Sequence, residues 1–230
     1  CGQTTSSSEN LLLQTMSHRP VALPPLLFGK EQASVHTSAQ AFADTVDTVF
    51  PGVNAYDPMP ASGGIFRSLL AQIQLQGLSL VNASISPTYV DRYKNRHLTV
   101  LLPISGDAAC TAQVGSETVH WGLGHAGVLL PVTDERVIGT GGFRNQLMLQ
   151  VDTQQLTTQA QSMLGMPMDT ADLGTDHIRA LPLKLGQMSL LQGLLQTLPL
   201  LHSYATQPQL LNALGVNELL LRQVVMLLRP

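Results

Sequence analysis

In the stretch SLLAQIQLQGLSL, Leu69, Ala71, Ile73 and Leu75 alternate with Gln72, Gln74 and Gln76. That period of two predicts a strand with one apolar and one wet face. Gly77 is placed for a turn into a second strand, whose phase slips near Leu80 and Val81 as a bulge would make it do. TYVDRY, HLTVLLPIS, ACTAQVG, ETVHW, AGVLLPV, ERVIGT and FRNQLMLQVD follow as further short strands. Turn residues at Ser105 to Asp107, Gly115-Ser116, Gly122 to Gly124 and Gly139 to Gly142 separate them. In HLTVLLPI the positions Leu98, Val100, Leu102 and Ile104 are all aliphatic, so that face is predicted to point inward. The spacing predicts an antiparallel sandwich or barrel, in a chain of α+β class that is mainly β.

Helical periods flank this region. SAQAFADTVDTVFPG has Ser38 as N-cap, Phe42, Val46, Val49 and Phe50 on one face, and Pro51 with Gly52 as its stop. After the last strand, Asp152 or Thr153 caps TQQLTTQAQSMLG, and Gly165 ends it. A polar connection from 166 to 179 leads to LGQMSLLQGLLQTL, and a last helix is predicted over 216–228. Met188, Leu191, Leu194, Leu195 and Leu198, with Leu219, Leu220, Val224 and Leu227, offer more apolar surface than one face needs. They either pair two copies by two-fold symmetry or cover the barrel. The start of the chain has Pro20, Pro24 and Pro25 after a Ser/Thr-rich run. The expected organisation is thus an arm over 1–36, a helix and β-barrel over 37–152, and a helical dimerisation region over 153–230.

Hydrophobic residues make up 44% and charged residues 12%, which argues against disorder over most of the length. The richest apolar segment, VNELLLRQVVMLLRP, is interrupted by Glu218, Arg222 and Gln223, so a soluble, cytoplasmic protein is expected. A formal charge of -3, with 12 unclustered Lys and Arg, leaves no basic face for a row of phosphates. Two cysteines, Cys1 and Cys110, are too few for a disulfide framework or a four-ligand zinc site and fit a reducing compartment. CGQTTSSSEN would also suit a lipidated first cysteine with a polar tether, an alternative to a trimmed start.

GLGHAG has the spacing of a dinucleotide-binding loop. That loop works only where a helix begins at the third glycine and offers free N–H groups to pyrophosphate. Here Gly127 opens VLLPV, so the glycines are expected to turn one strand into the next and no cofactor is expected. His120 and His125 flank Trp121, but the β region adds only His97, so no metal site is expected. No nucleophile elbow or P-loop occurs, and no motif around Cys110 points to an activated thiolate. Asp134 and Glu135 beside Arg136 are expected to form a solvated ion pair. The expectation is therefore a protein that is not an enzyme but encloses a small molecule. The candidate ligand-binding residues are the polar or aromatic Arg67, Tyr89, Tyr93, His97, His120 and Trp121.

The run YKNRHLTVLLPISGDAACTAQVGSETVHWGLGHAGVLLP resembles the regulatory half of AraC/XylS-type transcription regulators. The likeness lies in an aliphatic strand ending in Pro-x-Ser-Gly, a short hairpin, and a glycine turn into a strand closing on Pro. FRNQLMLQVDTQQLTTQAQSMLG is similar to that family's last barrel strand and following helix, and NELLLRQVVMLLRP to the helix before its DNA-binding half. The resemblance implies a cupin-like antiparallel β-barrel or jelly roll that senses a small-molecule effector, a helical region that forms a homodimer, and DNA binding through a helix-turn-helix domain beyond Pro230. A cupin-type metal-dependent enzyme and a lipid-anchored small-molecule-binding protein are the alternatives.

Overall fold

The computed structural model of the chain describes residues 22–106 and 109–229. Cys1, with the lipid-anchor alternative, and residues 1–21 of the expected arm lie outside them. Strands β1 (Ser34–His36), β2 (Val53–Pro58), β3 (Ser68–Leu75), β4 (Leu78–Ile85) and β5 (Thr88–Asn95) come first, with helix α1 (Ala39–Val49) between the first two. β6 (Leu98–Gly106), β7 (Cys110–Val114), β8 (Glu117–Trp121), β9 (Gly127–Leu130), β10 (Thr133–Gly141) and β11 (Arg144–Val151) follow. Then come α2 (Thr153–Leu164), β12 (Arg179–Leu181), the hairpin β13 (Lys184–Leu185) and β14 (Met188–Ser189), and α3 (Leu190–Leu195), α4 (Leu198–Ser203), α5 (Pro208–Ala213) and α6 (Val216–Leu228).

The strands form a seven-stranded antiparallel sheet ordered β1-β3-β4-β11-β6-β9-β12 and a five-stranded one ordered β2-β5-β10-β7-β8. The two face each other, because Tyr56 of β2 packs in one buried cluster with Val81, Ala83 and Ile85 of β4 and Met148 of β11. Ala112, Trp121 and Val137 meet Val128 and Leu130 of β9 in another. Helix α1 packs Phe42, Ala43 and Val46 into the first of these clusters, whereas α2 to α6 cover the opposite face of the larger sheet: Leu80, Leu102, Leu147 and Leu149 share a cluster with Leu156, Leu194, Leu211, Leu220 and Val224. Helices and sheet thus share one core in a three-layer arrangement.

This layering explains two departures from the predicted strands. β4 pairs with β3 and β11 without a register shift, so there is no bulge at Leu80 and Val81. Its alternation is lost because both faces are buried: Leu78 and Leu80 pack toward the helices, Val81, Ala83 and Ile85 toward the second sheet. Likewise Leu98, Val100 and Leu102 point into the helical layer and not into the space between the sheets.

The helix signals carry through. Ser38 Oγ accepts a hydrogen bond from the Ala41 amide at 3.4 Å, and Asp152 Oδ1 accepts from the Gln155 amide at 2.8 Å, each satisfying a first-turn donor. Gly165 ends α2 in the left-handed region at φ 68°. The predicted single helix over LGQMSLLQGLLQTL instead divides, with Gly186 at φ 58° turning β13 into β14 and Ser189 Oγ capping α3. Residues 22–36 are packed: Leu26 and Phe28 are buried in the helix-side core. Backbone there is held by the Asn pair of β4 and β11, with the Leu27 amide donating to Asn82 Oδ1 at 2.7 Å and Asn145 Nδ2 donating to the Pro25 carbonyl at 2.7 Å.

His36 of β1 is buried, with Nε2 3.0 Å from Thr45 Oγ1, Nδ1 3.2 Å from Ser68 Oγ, and the ring edge-on to Phe42. Burial lowers its pKa from the ordinary 6.5. The unfolded chain then binds a proton more readily than the folded one, so stability is fully present above that value and is lost as pH falls through and below it. Denaturant midpoints measured from pH 7.5 to 5.5 are expected to fall, and to fall less in His36→Gln.

Candidate functional site

Between the sheets lies a cavity of about 60 Å³. β11 delivers Arg144, Gln146 and Met148 to it on alternate positions, while Leu147 and Leu149 face the helices. From the opposite sheet come Tyr56, Arg92 and Trp121, with Val90, Ala112 and Val137 supplying apolar wall. Two guanidinium groups are therefore buried in one interior: Arg92 is 7% exposed and Arg144 6%. Among the described residues no Asp or Glu is buried beside them.

The two arginines differ in how they are held. Each nitrogen of Arg144 has a partner: Nε donates to Gln146 Oε1 at 2.8 Å, Nη1 to the Gly142 carbonyl at 3.0 Å and Nη2 to Thr88 Oγ1 at 3.2 Å. Gly141 leaves room for it, since a Cβ there would stand 2.6 Å from Arg144 Nη1 and 2.9 Å from Cys110 Sγ. Arg92, in contrast, has Nε and Nη2 buried without a hydrogen-bond partner, and the indole Nε1 of Trp121 is in the same condition. Unpaired buried donors are uncommon and costly, and these belong to residues that line one cavity.

Burial lowers the pKa of Arg92 against the opposing influence of Tyr56 and Asp47, and lowers that of Arg144 against Cys110 and Tyr56. A guanidinium starts so far above neutrality that both stay charged. Burial also raises the pKa of Tyr56 against the pull of Arg92 and Arg144, so its hydroxyl stays protonated. The Cys110 thiol, beside Arg144 and the Gly142 backbone, is pushed up by burial as well, which keeps it a thiol at neutral pH.

Of the six candidate ligand-binding residues, Trp121 lines this cavity. Arg67, Tyr89, Tyr93, His97 and His120 are exposed and do not line it. On β5 the odd positions Tyr89 and Tyr93 face outward and the even positions Val90 and Arg92 inward. Arg136 lies over the Tyr93 ring at 5.5 Å and makes a two-pronged bond with Asp91. The expected ion pair beside Asp134 and Glu135 thus runs across strands instead, from Arg136 to Asp91, while Asp134 faces Arg96 at 3.6 Å. His97 borders a separate open recess of about 320 Å³ with Gln74, Gln150 and Asp152.

The glycine loop is a turn: the Gly122 amide donates to the Ala126 carbonyl and the His125 amide to the Gly122 carbonyl, with Gly124 at φ 78°. Gly127 opens β9, and its missing side chain lets β9 lie against Leu101 and Leu102. Among the described residues no three His, Cys, Asp or Glu side chains gather as a metal site would need, and no helix is long and apolar enough to cross a membrane.

The predicted pairing stripe is mostly internal. Leu194, Leu198, Leu220, Val224 and Leu227 are buried in the chain's own core, and Leu191 and Leu195 pack partly buried against it. Met188, at 55% exposure, stands outside because β14 and not a helix carries it. Those leucines pack against the sheet.

No protein-family model matches the chain, and none of the curated proteins matches it. Among solved structures, the AraC-like transcriptional activator CuxR is similar over 86% of this chain and 70% of its own, at 13% identity and a TM-score of 0.49. A putative ethanolamine utilization protein, EutQ, from Salmonella typhimurium is similar over 42% of this chain and 77% of its own, at 7% identity and a TM-score of 0.31. A point variant of Streptomyces PAC13 with uridine is similar over 48% of this chain and 83% of its own, at 14% identity and a TM-score of 0.26. The architecture is a two-sheet antiparallel β-sandwich with attached helices. At these identities and TM-scores the likeness carries no ligand or residue role across.

Proposed function

We propose that this chain is a small-molecule-binding sensor module of a transcription regulator of the AraC/XylS kind, with its binding site between the two sheets. The observation that carries the reading is the interior cavity whose wall holds two buried guanidinium groups and buried N–H donors without partners. A binding site is where such donors remain unpaired until a ligand arrives. The AraC/XylS-like pattern over residues 93–131 adds the regulatory setting, and binding without conversion of the ligand fits a wall that lacks a carboxylate or an activated thiolate. In this reading the ligand favours one arrangement of the module by binding it more tightly, and so alters a DNA-binding half that follows. The chain would act as a homodimer, paired through exposed apolar positions such as Met188, Leu210, Leu214 and Leu219.

Thermal-shift screening of small acids and aromatic compounds tests the proposal. At least one class is expected to raise the unfolding midpoint in a concentration-dependent way, since a ligand that binds only the folded chain stabilises it. A flat response across a broad library removes the reading, and stoichiometric iron, zinc or manganese in the purified protein would replace it with a metalloenzyme.

A further inference from the structure

The unpartnered donors of two residues that line the cavity, Arg92 and Trp121, suit one ligand class. In a guanidinium, Nε–H and the Nη2–H beside it form one edge with two parallel donors, matched to the two oxygens of a carboxylate. The chain shows this pairing on its own surface, where Arg136 offers Nε and Nη2 to the two carboxylate oxygens of Asp91. Arg92 follows Asp91 in sequence, projects to the inner face, and has the same two nitrogens without partners. Trp121 Nε1 adds a third donor in the same cavity wall. All three are donors, so their complement is a group that only accepts.

Two further features narrow the class. Beyond the donors the wall is largely apolar, with Val90, Ala112, Leu130, Val137 and Met148, and every nitrogen of Arg144 already donates to a protein oxygen. A tetrahedral dianion would leave oxygens against hydrocarbon, whereas a carboxylate with a short alkyl tail satisfies both parts of the wall. The volume of about 60 Å³ is well below the roughly 150 Å³ of a cavity that holds benzene. The ligand is correspondingly short.

We propose that the cavity binds a short-chain monocarboxylate, its carboxylate held by the Nε/Nη2 edge of Arg92 and the indole N–H of Trp121, with its alkyl tail against Val90, Leu130 and Met148. This rests on the sensor reading and adds the chemistry of its ligand. Trp121 is the only tryptophan in the sequence, so its fluorescence reports on this cavity alone.

The full chain is titrated with acetate, propionate and butyrate, with the amides acetamide and propionamide, and with inorganic phosphate, following Trp121 emission and the unfolding midpoint. Acetate or propionate is expected to change both, and the matched amide, lacking the charge, to bind about tenfold more weakly or worse. Arg92→Met is expected to abolish the response, Arg92→Lys, which keeps charge but loses the fork, to weaken it, and Arg136→Met on the outer face to leave it intact. Equal binding of carboxylate and amide, undiminished binding by Arg92→Met, or tighter binding of phosphate would overturn the inference. The isostere comparison needs only the unaltered chain, so it decides even where an Arg92 variant does not fold. If neutral compounds shift Trp121 and carboxylates do not, the ligand class falls and the sensor reading stands; if nothing in these sets or a broad library shifts it, both fall.

Discussion

Phe28→Ala is expected to lower the unfolding free energy by about 3–5 kcal/mol, the cost of emptying a fully buried aromatic site. At about 2–4 °C per kcal/mol for a chain of this size, the loss shows directly in a thermal scan. The physical cause is position: Phe28 is 0% exposed, in the same core as Leu80, Leu147 and Leu220, although it belongs to a segment without regular secondary structure. The backbone just before it, at Pro25 and Leu27, is held by Asn145 and Asn82. The segment therefore closes the helix-side core as a plug does. Limited proteolysis of the variant is expected to cut within 22–33 before the rest of the chain unfolds. A stability loss below about 1 kcal/mol, typical of surface substitutions, would show that this segment does not seal the core.

Arg92→Met is expected to act in the opposite direction on the unliganded protein, raising its stability by about 1–4 kcal/mol, as replacing buried charge by well-packed hydrophobic groups does in other systems. A buried cation with two unpaired donors is a burden on the fold, and methionine fills similar space with no polar atoms to satisfy. Denaturant midpoints without added carboxylate measure the effect. The sign is decisive: a gain marks Arg92 as a residue retained for a ligand, while a loss marks it as a structural cation. Arg144→Met serves as the contrast. With Gln146, Gly142 and Thr88 all bonded to it, its loss leaves those groups unsatisfied and is expected to destabilise.

The parts of this fold legible in the sequence are those whose physics is local. The caps at Ser38 and Asp152, the stop at Gly165 and the span of α6 follow from short-range hydrogen bonding and periodicity, and the structure has them where the pattern places them. β3 was legible because its far end keeps one wet face, with Gln72 and Gln74 exposed. β4 and β11 were not, because every residue in both is buried and alternation no longer separates inside from outside. The same cause hid the site. In FRNQLMLQVD the face carrying Arg144, Gln146 and Met148 has the polarity of a solvated surface beside the apolar Leu147, Leu149 and Val151. It is instead a second interior, and only the partner sheet makes it one. On β5 the large aromatics Tyr89 and Tyr93 lie on the outer face, and the signal for Arg92 is the company of Thr88 and Val90 on its own face. Trp121, a candidate as an aromatic group on a mostly apolar strand, lines the cavity.

The margins of the larger sheet are β1 and β12, three residues apiece. So short a rim exposes few free amides and carbonyls to which a foreign strand could attach. A sheet of seven strands with a hydrocarbon layer on each side would otherwise be a template for open-ended, fibre-like accretion of chains. Its stunted borders leave little main chain along which such accretion could start.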